Sequence, residues 1–209
     1  MSFKKKITAL TLCLCLSLSV VACSNSSDKN NAEKQGTVKQ EEKKNDEEEG
    51  KTESFNGMEK TPLYTNKELN VTGETGSIKY KYNGVQVSKL VLKTEDAASM
   101  FDSNVGDELA VIVFDAEFEN TSDKDVSFYP NQATLITNTK EQVDADIWFS
   151  EDVGGDFLGN VSKRGEIFYF LKDSKADDIE TMEIRIDAPV DTASFESIGD
   201  PLTLNFKTE

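Results

Sequence analysis

The sequence has no histidine, and its three cysteines, Cys13, Cys15 and Cys23, all lie in the first 23 of 209 residues. Without histidine, no imidazole is present to act as a base or to bind a metal. A folded part beyond residue 23 has no disulfide, no thiolate nucleophile and no cysteine-ligated zinc. Basic residues are outnumbered, 23 against 39 acids, and the net charge of −16 argues against nucleic acid as a partner. No glycine-rich phosphate loop, dinucleotide fingerprint or nucleophile elbow occurs, and no cofactor is implied. There is a single tryptophan, Trp148, and no internal repeat.

The chain opens with Lys4, Lys5 and Lys6, then runs uncharged from residue 7 to residue 22. Those 16 residues fall short of the roughly 20 that a helix needs to cross a bilayer. A charged start, an apolar middle and small residues before a break make a secretory signal. Its end, Val20-Val21-Ala22-Cys23, resembles a bacterial lipobox. The resemblance implies that residues 1–22 are cleaved and that Cys23 carries a diacylglyceryl group. One acyl chain holds a protein only marginally, at about 0.8 kcal/mol per buried methylene, whereas two anchor it stably. The expected location is the extracytoplasmic face of a cell membrane, with the bilayer a partner through the anchor at Cys23. The abundance of Lys, Asn and Glu fits a Gram-positive source.

Residues 23–60 read as the lipidated N-terminus and a disordered charged linker. Positions 24–60 hold ten acids and seven lysines and few large apolar side chains. Such a stretch buries too little surface to offset its ordering entropy. As a flexible chain it spans about 35 Å, and fully extended about 120 Å.

Residues 61–209 read as one domain with 29 acids and 13 bases. Period-two alternation replaces the charge runs. Ile78, Tyr80 and Tyr82 share a face, and Asn83-Gly84 predicts a type I′ hairpin returning through residues 85–92, with a bulge near Ser88-Lys89. Thr94 is placed to cap a short helix that buries Ala97, Ala98, Met100 and Phe101. Residues 109–119 form the clearest strand, apolar on both faces at its start. Further strands are expected at 126–129, 133–137, 142–149, 167–171, 182–186 and 202–206. Short strands with frequent turns indicate an all-β, antiparallel sandwich. Asn70, Asn120 and Asn160 match the glycosylation triplet and are read as turn and strand-edge residues.

The run from Val111 through Asn120-Thr121-Ser122-Asp123-Lys124 to Pro130, then Ala133-Thr134-Leu135-Ile136-Thr137, resembles the telokin-like, immunoglobulin-fold domain of unknown function found in many Gram-positive lipoproteins. The resemblance covers about residues 75–206 and implies an immunoglobulin-like β-sandwich. Lys163-Arg164-Gly165-Glu166 stands where that family has a Pro-Gly-Glu turn. It implies no activity.

Carboxylate pairs such as Asp144 and Asp146, or Asp177 and Asp178, suit a carboxylate-dependent hydrolase only if they flank a cleft. Ser150-Glu151-Asp152-Val153-Gly154-Gly155-Asp156 offers oxygens for calcium, or is a solvated acidic loop. The expected function is a non-enzymatic binding or accessory module of the cell envelope with a possible envelope protein partner. A hydrolase or a calcium-dependent subunit is the alternative. The connection at 150–165 is long, and long loops carry function. Trp148 falls beside it on a polar face, so Trp148, Phe157 and Leu158 are the expected contact surface, rimmed by Asp152 and Asp156. In the competing account Phe157 and Leu158 plug the end of the sandwich.

Overall fold

The computed structural model describes residues 49–208. Cys23, the signal segment and most of the linker lie outside the described residues. In chain order the strands are β1 (Glu53–Phe55), β2 (Met58–Asn66), β3 (Val71–Thr75), β4 (Ile78–Leu92), β5 (Glu108–Asn120), β6 (Val126–Phe128) and β7 (Thr134–Thr137). They continue with β8 (Gln142–Asp144), β9 (Gly155–Phe157), β10 (Ser162–Leu171), β11 (Thr181–Ile186), β12 (Val190–Asp191) and β13 (Leu202–Lys207). One α-helix among the described residues, α1 (Glu95–Met100), follows β4.

All pairings are antiparallel. A six-stranded sheet runs β1-β2-β4-β5-β10, with β3 forming a hairpin beside the first part of β4. A four-stranded sheet, β13-β11-β7-β8, and a three-stranded sheet, β12-β6-β9, make up the rest. Their inward side chains share one core. Ile78, Tyr82, Phe114 and Phe118 from the large sheet cluster with Leu135, Ile184 and Phe206 from the second and Phe128 and Phe157 from the third. Tyr82 meets Phe114 and Phe118 edge-on, with ring centroids 5.7 and 5.9 Å apart. The hydroxyls of Tyr82 and Tyr169 are buried with no partner among the described residues, and burial raises both phenol pKa values.

A second, smaller core lies on the outer face of the large sheet. Leu90, Leu92, Leu109, Val111 and Val113 are covered by Ala97, Ala98 and Phe101 of the α1 region. This explains two sequence features together. Residues 109–113 are apolar on both faces because both faces are covered. The inward set of β4 changes parity from Val87 to Leu90 because the strand passes from one core to the other. Beside Ser88 the register does shift, but the extra residue is Leu63 on β2, between the Pro62–Ser88 and Tyr64–Val87 pairs. β4 has its own irregularity at Tyr82/Gly84, and Asn83-Gly84 makes no hairpin. A bulge there adds one residue and keeps Tyr82 and Val85 facing the same core within one 15-residue strand.

Three other expectations need correction. The folded part begins before residue 61, since β1 and β2 belong to the large sheet and Met58 is buried. Thr94 does cap α1, accepting from Ala97 N at 3.3 Å, but Met100 points outward at 57% exposure. The sequence Lys163-Arg164-Gly165-Glu166 is strand, not turn. Gly165 is there for close approach: a Cβ would meet Glu151 Cβ at 2.7 Å and Val153 Cγ1 at 2.9 Å.

Candidate functional site: a stapled turn on a sealed sheet edge

Strand β10 is the last in the large sheet, so its outer edge is a row of unpaired amides and carbonyls, a template for unwanted pairing. Residues 146–154 run antiparallel along that edge and cover it without forming a strand. Asp146 N donates to Phe168 O at 2.8 Å, and Glu151 N to Glu166 O at 2.9 Å. Side chains supply the missing acceptors: Ser150 Oγ accepts from Phe168 N at 2.9 Å, and Glu151 Oε2 from Glu166 N at 2.8 Å. Lys163 Nζ donates to Gly154 O and lies 3.7 Å from Asp152.

The expected strand at 142–149 therefore ends at Asp144. Asp146 closes the turn that follows, with Oδ1 accepting from Trp148 N at 2.8 Å and Phe149 N at 3.1 Å. Phe149 folds back onto the small core, stacked on Phe101 at 5.6 Å and edge-on to Phe170 at 4.9 Å. Trp148 points the other way and is 90% exposed, with Ile147 beside it. A turn tied by hydrogen bonds to its own backbone and to β10, and by the half-buried Phe149 ring, thus holds an unpacked tryptophan in water. Exposed, pre-organised aromatics are the usual anchors of protein contacts.

The other expected contact residues do not join it. Phe157 is fully buried in β9, paired with Val126, with Lys163 Nζ 5.1 Å from its ring centroid. It is a core residue, because strand alternation sends Phe157 in and Leu158 out. Leu158, 67% exposed, sits just before β10 begins, about 20 Å along that strand from the Trp148 turn. Asp152 is exposed and lies beside Lys163, whereas Asp156 faces Ser127 Oγ at 2.7 Å. In the 150–156 loop the Lys163 ammonium reaches Gly154 O, and no cluster of three or more acidic groups suited to a metal exists among the described residues.

Sealing the edge leaves a signature at Glu166. Burial, and then the Glu151 carboxylate, push its pKa up, with Asp115 adding to the rise and Lys60 opposing it. A carboxyl whose folded pKa is raised stabilises the fold fully below the unfolded value, and that contribution is lost as pH rises through the folded value. Glu166→Gln should therefore melt higher than the wild type at pH 7. The gain should shrink toward zero at acid pH, as calorimetric scans across pH will show.

Among the described residues, no helix is long and apolar enough to cross a membrane. No family model matches the chain. The SPbeta prophage-derived uncharacterized lipoprotein YonS of Bacillus subtilis is 32% identical over 105 residues, which are 49% of this chain and 51% of that protein. The chain thus spans about half the length of the curated relative it matches. A protein of unknown function from Listeria monocytogenes has a crystal structure that superposes with a TM-score of 0.55 at 16% identity, over 72% of this chain and 88% of that one. That likeness concerns the fold alone.

Proposed function

We infer that the chain is an envelope lipoprotein, acylated at Cys23, whose β-sandwich is a non-enzymatic binding module presented outside the membrane. The lipoprotein reading draws support from the Val20-Val21-Ala22-Cys23 sequence and from the name of the Bacillus relative. The immunoglobulin-like assignment draws support from the Asn120–Lys124 turn leading into β6 and β7 in the expected order. The observation that carries the binding reading is Trp148, held exposed on a turn that its neighbours fix. Metabolic labelling with a fatty acid should mark the wild type and leave Cys23→Ala unmarked. Equal labelling of both would remove the anchor. In the purified protein, Trp148 should emit like a solvated indole and be quenched fully by iodide; a blue-shifted, protected emission would remove the contact residue.

The charge also says what the domain avoids. Like charges repel within a Debye length of about 8 Å, so a surface this acidic does not hold wall polyanions without bridging cations.

A further inference from the structure

A second exposed apolar pair, Leu158 and Phe195, lies at one end of the three-stranded sheet. Strand order places it. Val126 pairs with Phe157 on one side and Asp191 on the other, and Val190 bridges to Ser197. Leu158 and the 192–195 turn therefore emerge at the same end of the three-stranded sheet. The strands that lead to them, β9 and β12, are two strand spacings apart, about 10 Å. Phe195 is 83% exposed.

Phe195 also has a backbone φ of 60°. For a bulky residue the left-handed region is unfavourable, and such outliers persist only where the surroundings over-determine them. Here Asp191 does so. Its Oδ1 accepts from Ala193 N and Ser194 N, each at 3.0 Å, and its backbone carbonyl accepts from Phe195 N at 2.8 Å. Lys124 Nζ lies 3.4 Å from its second oxygen. The fold gains no packing from a ring in this position, and glycine would adopt the conformation without strain.

The surroundings are acidic. Asp123, Asp125 and Glu196 stand exposed at this end, and among the described residues none has an ion-pair partner for its side chain. The one lysine there, Lys124, is engaged with Asp191. Two large apolar side chains separated by unneutralised carboxylates complement a cationic chain that also carries apolar groups.

We propose that the Leu158–Phe195 end is a docking surface for a lysine- or arginine-rich amphipathic segment of a partner protein. It is distinct from the Trp148 turn, so the module has two contact ends.

The test uses the full-length protein in phosphatidylcholine nanodiscs. Its probes are a short labelled peptide of alternating lysine and leucine and the glutamate–leucine counterpart, with empty discs as background. The lysine peptide should bind, more tightly at low ionic strength, and the glutamate peptide should not. Phe195→Gly should bind about thirtyfold more weakly, the loss typical of an interface anchor. The same variant should melt at or above the wild-type temperature, because glycine relieves the left-handed strain. Asp123→Asn with Asp125→Asn should weaken binding and flatten its salt dependence, and Trp148→Ala should leave it unchanged. Hydrogen exchange should slow in the 192–197 turn only when the lysine peptide is added. The proposal is overturned if Phe195→Gly binds as the wild type does, if both peptides bind alike, or if Phe195→Gly melts well below the wild type. Protection of the turn in the discs before peptide is added would assign the pair to the bilayer and overturn it too.

Discussion

Asn120→Asp should destabilise the domain by about 3–5 kcal/mol at pH 7, the range for an uncompensated buried charge. Asn120 is fully buried at the end of β5. Its amide nitrogen donates to Lys124 O at 2.7 Å and Gly159 O at 2.9 Å. Its carbonyl oxygen accepts from Ser77 Oγ at 2.8 Å, Ser122 Oγ at 2.9 Å and Ser122 N at 3.1 Å. One side chain thereby ties three separate loops. Aspartate keeps the acceptor side and turns the donor side into a second carboxylate oxygen facing two carbonyls. The folded state then favours the protonated acid, so its pKa in the fold rises above the unfolded value. Stability returns as pH falls through that raised pKa. Asn120→Ala also loses the bonds but has nothing to titrate. Urea melts at pH 7 and pH 5 should show recovery for Asn120→Asp and none for Asn120→Ala; parallel behaviour of the two would contradict the hydrogen-bond assignment.

Phe157→Ala should cost about 3–5 kcal/mol, the penalty for emptying a large core site. The ring is fully buried between the sheets, with the Lys163 ammonium over its face. The melting temperature should drop on the order of 10 °C for a domain of this size. The neighbouring Leu158→Ala, which removes only exposed surface, should move it by a degree or two at most. A small shift for Phe157→Ala would mean that β9 does not hold the ring inside.

Much of this frame was legible in the residues. The alternation of Ala110, Ile112, Phe114, Ala116 and Phe118 marks β5, and Met182, Ile184 and Ile186 mark β11, because one-sided burial imposes period two. Asn83-Gly84 misleads for a physical reason: the pair that favours a tight hairpin also suits a bulge, and only the partner strand decides. β1 and β2 are hidden because only Met58, Pro62 and Thr65 are buried there, and these do not alternate with period two among their polar neighbours. In the candidate site, Trp148 was found as the apolar residue on a polar face. Phe157 was misplaced because a three-residue strand is too short to show its period inside a glycine-rich loop. Phe195 carried no sequence signal, since its left-handed backbone comes from hydrogen bonds to Asp191.

A binding module of this kind uses Trp148 as a contact residue in the living envelope. A photo-crosslinking amino acid placed at position 148 of the full-length chain tests that most directly, with the same probe at the exposed Lys207 on β13 as the control. Illumination of intact cells should give a discrete adduct with one envelope component from position 148 and none from position 207. No adduct at 148, or the same adducts from both positions, would contradict the binding-module reading.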